Sequence, residues 1–94
     1  MQQFVKDPQE VLDYQVNWSD WLDTDTISTS AFVVQTGITK DSSSNTTTTA
    51  TVWLSGGTNG SRYVITNTIT TSDGRTAERS FIIKVSESSS EIII

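Results

Sequence analysis

Residues 63–85 read YVITNTITTSDGRTAERSFIIKV, and this run decides the fold. Tyr63, Ile65, Asn67, Ile69 and Thr71 share one parity, while Val64, Thr66, Thr68 and Thr70 share the other. A period of two is that of a strand with one face toward a core. Ser72-Asp73-Gly74-Arg75 interrupts it, and Ala77, Arg79, Phe81, Ile83 and Val85 then resume on an inward parity. Asp-Gly between two alternating runs predicts a β-hairpin with a two-residue turn and Gly74 at positive φ.

Moving upstream, Ser55–Ser61 holds Gly56, Gly57 and Gly60 and predicts a turn. No Lys-Ser/Thr pair and no helix follow it, so it is not a phosphate cradle. Thr46–Leu54 is a third alternating run, with Thr48, Ala50, Val52 and Leu54 on one face and Thr47, Thr49, Thr51 and Trp53 on the other. Trp53 is thereby expected to point away from the main core. It is covered either by Trp21 and the N-terminal segment or by a partner. Thr26–Gln35 has mixed parity, because Ile27 and Val33 oppose Phe32 and Val34; two-sided burial or a β-bulge accounts for that. Gly37 marks a turn, Ile38 anchors a short strand, and Asp41–Asn45 reads as a loop by composition. Leu12, Tyr14, Val16 and Trp18 alternate with Asp13, Gln15 and Asn17, and Ser19–Asp25 ends that strand. Residues 1–10 are expected as an N-terminal arm, 11–86 as the folded domain, and 87–94 as a C-terminal tail ending in Ile92, Ile93 and Ile94.

Five or six strands separated by turn signals, without helical periodicity, define an all-β protein. The expected architecture is an antiparallel β-sandwich of the immunoglobulin/fibronectin III-like kind. Its expected core is Leu12, Tyr14, Val16, Trp18, Ile27, Val52, Leu54, Tyr63, Ile65, Ile69, Phe81, Ile83 and Val85. A Leu, a Gly-bearing turn and then Tyr63 opening a strand suggest a tyrosine corner, whose hydroxyl bonds nearby backbone. The alternative is an ordinary half-buried strand tyrosine.

Composition narrows the chemistry. Ser and Thr make up roughly a third of the 94 residues, fitting strands with wet outer faces. There is no Cys and no His, which removes disulfides, thiolate nucleophiles, zinc clusters and imidazole bases. The chain is not expected to be an enzyme and calls for no catalytic residue, cofactor or metal. Lack of disulfides suits folding in a reducing cytoplasm. No signal pattern or membrane-length apolar stretch occurs, so no membrane association is expected. Net charge is −5, and Asp7, Glu10, Asp13, Asp20, Asp23, Asp25 and Asp41 face only Lys6 and Lys40 in the first 41 residues. An acidic surface repels phosphate, which argues against nucleic acid and leaves a solvated face or a basic protein partner. Asp20, Asp23 and Asp25 share one loop but lack the Gly and distal Glu of a helix–loop–helix calcium site; solvated turn acids are the favoured reading.

Several motifs give a more specific likeness. Asp7-Pro8 leading to Leu12-Asp13-Tyr14, the run Trp18-Ser19-Asp20-Trp21-Leu22, Asp25-Thr26-Ile27, Val52-Trp53-Leu54-Ser55-Gly56-Gly57-Thr58, Tyr63 to Thr71, Gly74-Arg75-Thr76 and Arg79-Ser80 resemble the small fiber-tail adaptor proteins of tailed phages. The resemblance spans about residues 6–85, with the Trp-Leu-Ser-Gly-Gly run its most specific part and Asn17 a departure from an expected acid. It implies a virion structural protein, made in the bacterial host cytoplasm, that joins tail or baseplate to fibres through protein contacts. It further implies several copies per particle and neither catalysis nor cofactor. A capsid decoration protein and a carbohydrate-binding module of a host-recognition device are the alternatives. Expected partner contacts are Trp53 and the apolar tip Ile92, Ile93 and Ile94, which nothing local covers.

Overall fold

A computed structural model describes residues 1–87; Ile92–Ile94 lie outside these. Seven strands and one helical turn follow in chain order: β1 (Gln2–Lys6), β2 (Leu12–Asn17), α1 (Ser19–Leu22), β3 (Ile27–Val34), β4 (Ile38–Asn45), β5 (Thr49–Gly56), β6 (Arg62–Thr71) and β7 (Thr76–Val85). They form two sheets, β1-β7-β6-β3 and β2-β5-β4. Lettered A to G along the chain, these are A-G-F-C and B-E-D. That is the partition of a constant-type immunoglobulin domain, except that the first strand pairs with the last instead of the second.

The β6–β7 hairpin carries the expected alternation: Tyr63, Ile65, Asn67, Ile69 and Thr71 are all buried, as are Phe81, Ile83 and Val85. Its turn differs from the expected one. Gly74 N–H donates to Thr71 O at 3.0 Å, and Thr71 N–H donates to Arg75 O at 2.8 Å. Gly74 has φ 88°, whereas Asp73 stays out of the positive region. The loop is therefore three residues long, a tight turn closed by a left-handed glycine, and the two-residue turn is excluded.

Mixed parity in β3 resolves as a bulge, since register shifts between Ile27 and Thr29. Ile27 and Phe32 both face inward, and Val33 is exposed. Two segments expected outside the sheets lie within them. Asp41–Asn45 continues β4 along β5, with a register shift between Lys40 and Ser42. As an edge strand with nearly every side chain exposed, it needs only backbone pairing, so its polar residues resemble a loop. Gln2–Lys6, expected as an arm, pairs in parallel with Phe81–Val85. The Phe4 ring sits edge-on to Phe81 at 5.8 Å and tilted against Tyr14 at 5.5 Å. Conversely, Thr46–Thr48 forms a turn before β5, with Thr46 Oγ1 accepting from the N–H groups of Thr48 and Thr49.

Two clusters fill the interior. Phe32, Ile38, Ala50, Val52, Leu54, Tyr63, Ile65, Phe81, Ile83 and Val85 form the larger, with Phe4, Tyr14 and Val16 half-buried against it. Trp18, Leu22, Ile27 and Ile69 form the smaller, at the end closed by α1. Leu12, Tyr14 and Val16 are only half-buried because β2 is itself an edge strand. Buried polarity is satisfied at the junction. Trp18 Nε1–H donates to Asn67 Oδ1 at 2.9 Å, and Asn67 Nδ2 donates to Ser30 Oγ and Ala31 O.

Tyr63 makes the expected corner. Its hydroxyl accepts from Thr58 N–H at 2.9 Å, and hydrogen bonding to Thr58 holds its pKa below the ordinary phenol value. Gly57, at φ 95°, is the close approach that admits this packing: a Cβ there would lie 2.5 Å from Val85 Cγ2 and 3.4 Å from the Tyr63 ring.

Candidate interaction surfaces

The loop expected to expose three acids instead buries one. Asp25 accepts from Thr26 N–H at 2.8 Å, Asp73 N–H at 3.2 Å and Arg75 Nε–H at 3.1 Å. Arg75 Nη2 completes an ion pair with Asp25 at 3.0 Å and also donates to Leu22 O. Burial pushes the Asp25 carboxyl up, but hydrogen bonds from Thr71, Thr26, Arg75 and Asp73 outweigh it and set its pKa below the ordinary carboxylate value. Asp20 and Asp23 stay exposed. Among the described residues, no group of three acids, histidines or cysteines is arranged to hold a metal.

Arginine caps organise the tryptophans at this end. The Arg75 guanidinium lies 4.2 Å from the centroid of Trp21, and that of Arg79 lies 4.2 Å from the centroid of Trp18. Trp18 and Trp21 meet edge-to-face at 5.4 Å. Arg79 has the inward parity expected of it, yet remains exposed, lying over the indole as a lid. Neither arginine was identified from the sequence, because each meets its ring across more than fifty positions of chain and no local pattern encodes that.

Trp53 sits in the middle of β5, between Asp13 on β2 and Ser42 on β4, and is 42% exposed. Neither intramolecular cover lies over it. Trp21 packs against Trp18, and β1 belongs to the opposite sheet. Its face carries Asp13, Gln15, Thr51 and Ser55, with Asp41 brought alongside by the Ser55 hydroxyl, which donates to Asp41 Oδ1 at 3.0 Å.

A groove of about 310 Å³ opens where β1 and β7 face β2, lined by Gln2, Phe4, Tyr14, Val16, Arg79 and Phe81 among others. The buried Tyr14 hydroxyl finds no hydrogen-bond partner among the described residues, and burial, then the charges of Glu10 and Asp13, raises its pKa. The far end of β1 is fastened by Lys6, fully buried, whose ammonium donates to Gly56 O at 2.7 Å and Asp7 O at 2.9 Å. Burial lowers its pKa against the opposing pull of Glu10, Asp7 and Asp41. No helix among the described residues is long and apolar enough to cross a membrane.

Two packed sheets offering faces and edges define a small immunoglobulin-like β-sandwich module. Within that class the comparison with known families is specific. Residues 6–84 match the family described as podophage GP4 fiber-tail adaptor protein gp77. The match runs from Lys6, the residue that fastens β1, nearly to the end of β7, and the chain belongs to this family of phage tail structural adaptors. No curated protein matches the chain significantly.

Proposed function

We propose that this protein joins the podophage tail to its fibres by protein–protein contact alone, in several copies within the virion. The family match over both sheets, residues 6–84, is the observation that carries this reading. Trp53 on one sheet face and Ile92–Ile94 in the tail are the proposed contact residues. Residues 11–86 would supply the rigid body, with β1 added at its edge, and residues 87–94 a separate attachment segment. Burying three isoleucines is worth roughly 1.5–3 kcal/mol each, enough to offset ordering a short linker. A sugar-binding role calls for a row of open rings, whereas two of the three tryptophans carry arginine caps.

Particles assembled without this protein test the reading. Electron microscopy should then show tails bare of fibres, and mass spectrometry should find the protein in wild-type tails. Fully fibred tails in its absence would refute the adaptor role. Deleting residues 87–94 should leave thermal stability nearly unchanged while lowering incorporation into tails; a marked loss of stability would assign the tail to its own domain.

A further inference from the structure

We propose that the Trp53 face is a receptor for an arginine side chain presented by the partner protein; this rests on the adaptor reading and adds the chemistry of the contact. Three observations converge. First, Trp18 and Trp21 each lie under a guanidinium at 4.2 Å, whereas the half-exposed Trp53 has no such cap among the described residues. Second, carboxylates border the bare ring. Asp13 is its direct cross-strand neighbour and so shares its face, and Ser55, two residues along the same face, holds Asp41. Third, among the described residues no lysine or arginine caps the Trp53 ring. Lys6 and Lys40 donate to backbone carbonyls, Arg75 and Arg79 cover the other two indoles, and Arg62 and Lys84 are cross-strand neighbours in the opposite sheet.

An indole face beside carboxylates is matched by a guanidinium, which stacks flat on the ring while its edge donates to the acids. The Arg75 site shows the same combination inside this molecule: one guanidinium stacked on Trp21 and paired with Asp25. Lysine offers a point charge without the planar stack, and a neutral side chain leaves the acids unanswered. Asp41 is shared electrostatically with buried Lys6, so Asp13 should carry more of the recognition. The neighbours Ser42 and Gln15 are exposed, so the face around the ring is open to the segment bearing the arginine.

The test uses the full chain and two probes, N-acetylarginine amide and its neutral isostere N-acetylcitrulline amide. The indole N–H signals are followed by NMR, and that of Trp53 is assigned by its loss in Trp53→Phe. Saturable movement of the Trp53 signal with the arginine probe, roughly three- to tenfold weaker in Asp13→Asn and flat with citrulline, is the expected result. Equal movement with both probes, or none with either, overturns the proposal. Trp53→Leu and Asp13→Lys are then assayed for incorporation into tails, with melting temperature as a folding control. Reduced incorporation of folded variants supports the contact. Wild-type levels in both would sink it while leaving the adaptor reading intact. Absence of the wild-type protein from tails would instead defeat the adaptor reading, with the titration still deciding what the face binds.

Discussion

Arg75 Nη2 lies 3.0 Å from Asp25 Oδ2 across fifty positions of sequence, tying the hairpin after β6 to the loop that precedes β3. The folded-state pKa of Asp25 is depressed, so this group's contribution is fully present above the ordinary carboxylate pKa of about 3.9. It is lost as pH falls through the depressed folded value. Melting temperature should therefore decline on acidification below about pH 4, and Asp25→Asn should flatten that decline while lowering stability at neutral pH. An unchanged acid limb in Asp25→Asn would assign the pH dependence to other groups.

Phe81 touches Phe4 within its own sheet and Tyr14 across the sandwich. Phe81→Ala should cost on the order of 3–5 kcal/mol, a large share of the ~5–10 kcal/mol such a domain possesses. The denaturant midpoint reads this directly. A midpoint equal to wild type would contradict the inward placement of Phe81.

Gly74 and Gly57 both have positive φ, but only one is crowded. Nothing lies within 4 Å of a Cβ built on Gly74, while one on Gly57 would meet Val85 at 2.5 Å. Gly74→Ala should cost about 1–2 kcal/mol of backbone strain alone. Gly57→Ala should add about 1–3 kcal/mol of overpacking and displace the Tyr63 corner. Equal costs would mean that Val85 moves aside freely.

Calcium should leave the melting temperature unmoved, because the buried Asp25 carboxylate already engages Arg75 while Asp20 and Asp23 are exposed, and no three acids among the described residues are arranged to hold a metal. A rise of several degrees in millimolar calcium, abolished by Asp23→Ala, would reveal a site formed by loop rearrangement.

What the sequence made legible follows from strand length and neighbours. β6 buries one parity from Tyr63 to Thr71 and β7 does so from Phe81 to Val85, both with a strand on either side, and alternation of that kind is unambiguous. β1 has five residues and places Lys6 at a core parity, a signal that hydropathy reads in reverse. Beyond buried Ile38, β4 is polar and exposed because it pairs with β5 alone at the edge of its sheet. Asp-Gly announced a turn with a left-handed glycine but not its length, since two- and three-residue hairpin loops both use that residue. Trp53 stood out by parity alone, as a single large ring opposite a buried row. The arginine caps required knowledge of which strands meet, and parity within one strand carries none.

The pairing of Gln2–Lys6 with Phe81–Val85 also dictates when this protein can be completed during synthesis. A nascent chain that has reached only β5 holds the three strands of one sheet, while β1 and β3 of the other have no strand between them. Their apolar faces stay uncovered until β6 and β7 emerge from the ribosome. Closure of so non-local a topology is slow compared with local helix formation. The sandwich cannot close before β6 and β7 are available, and a translation product truncated before them would expose the apolar faces those strands cover, the kind of surface that recruits chaperones and proteases.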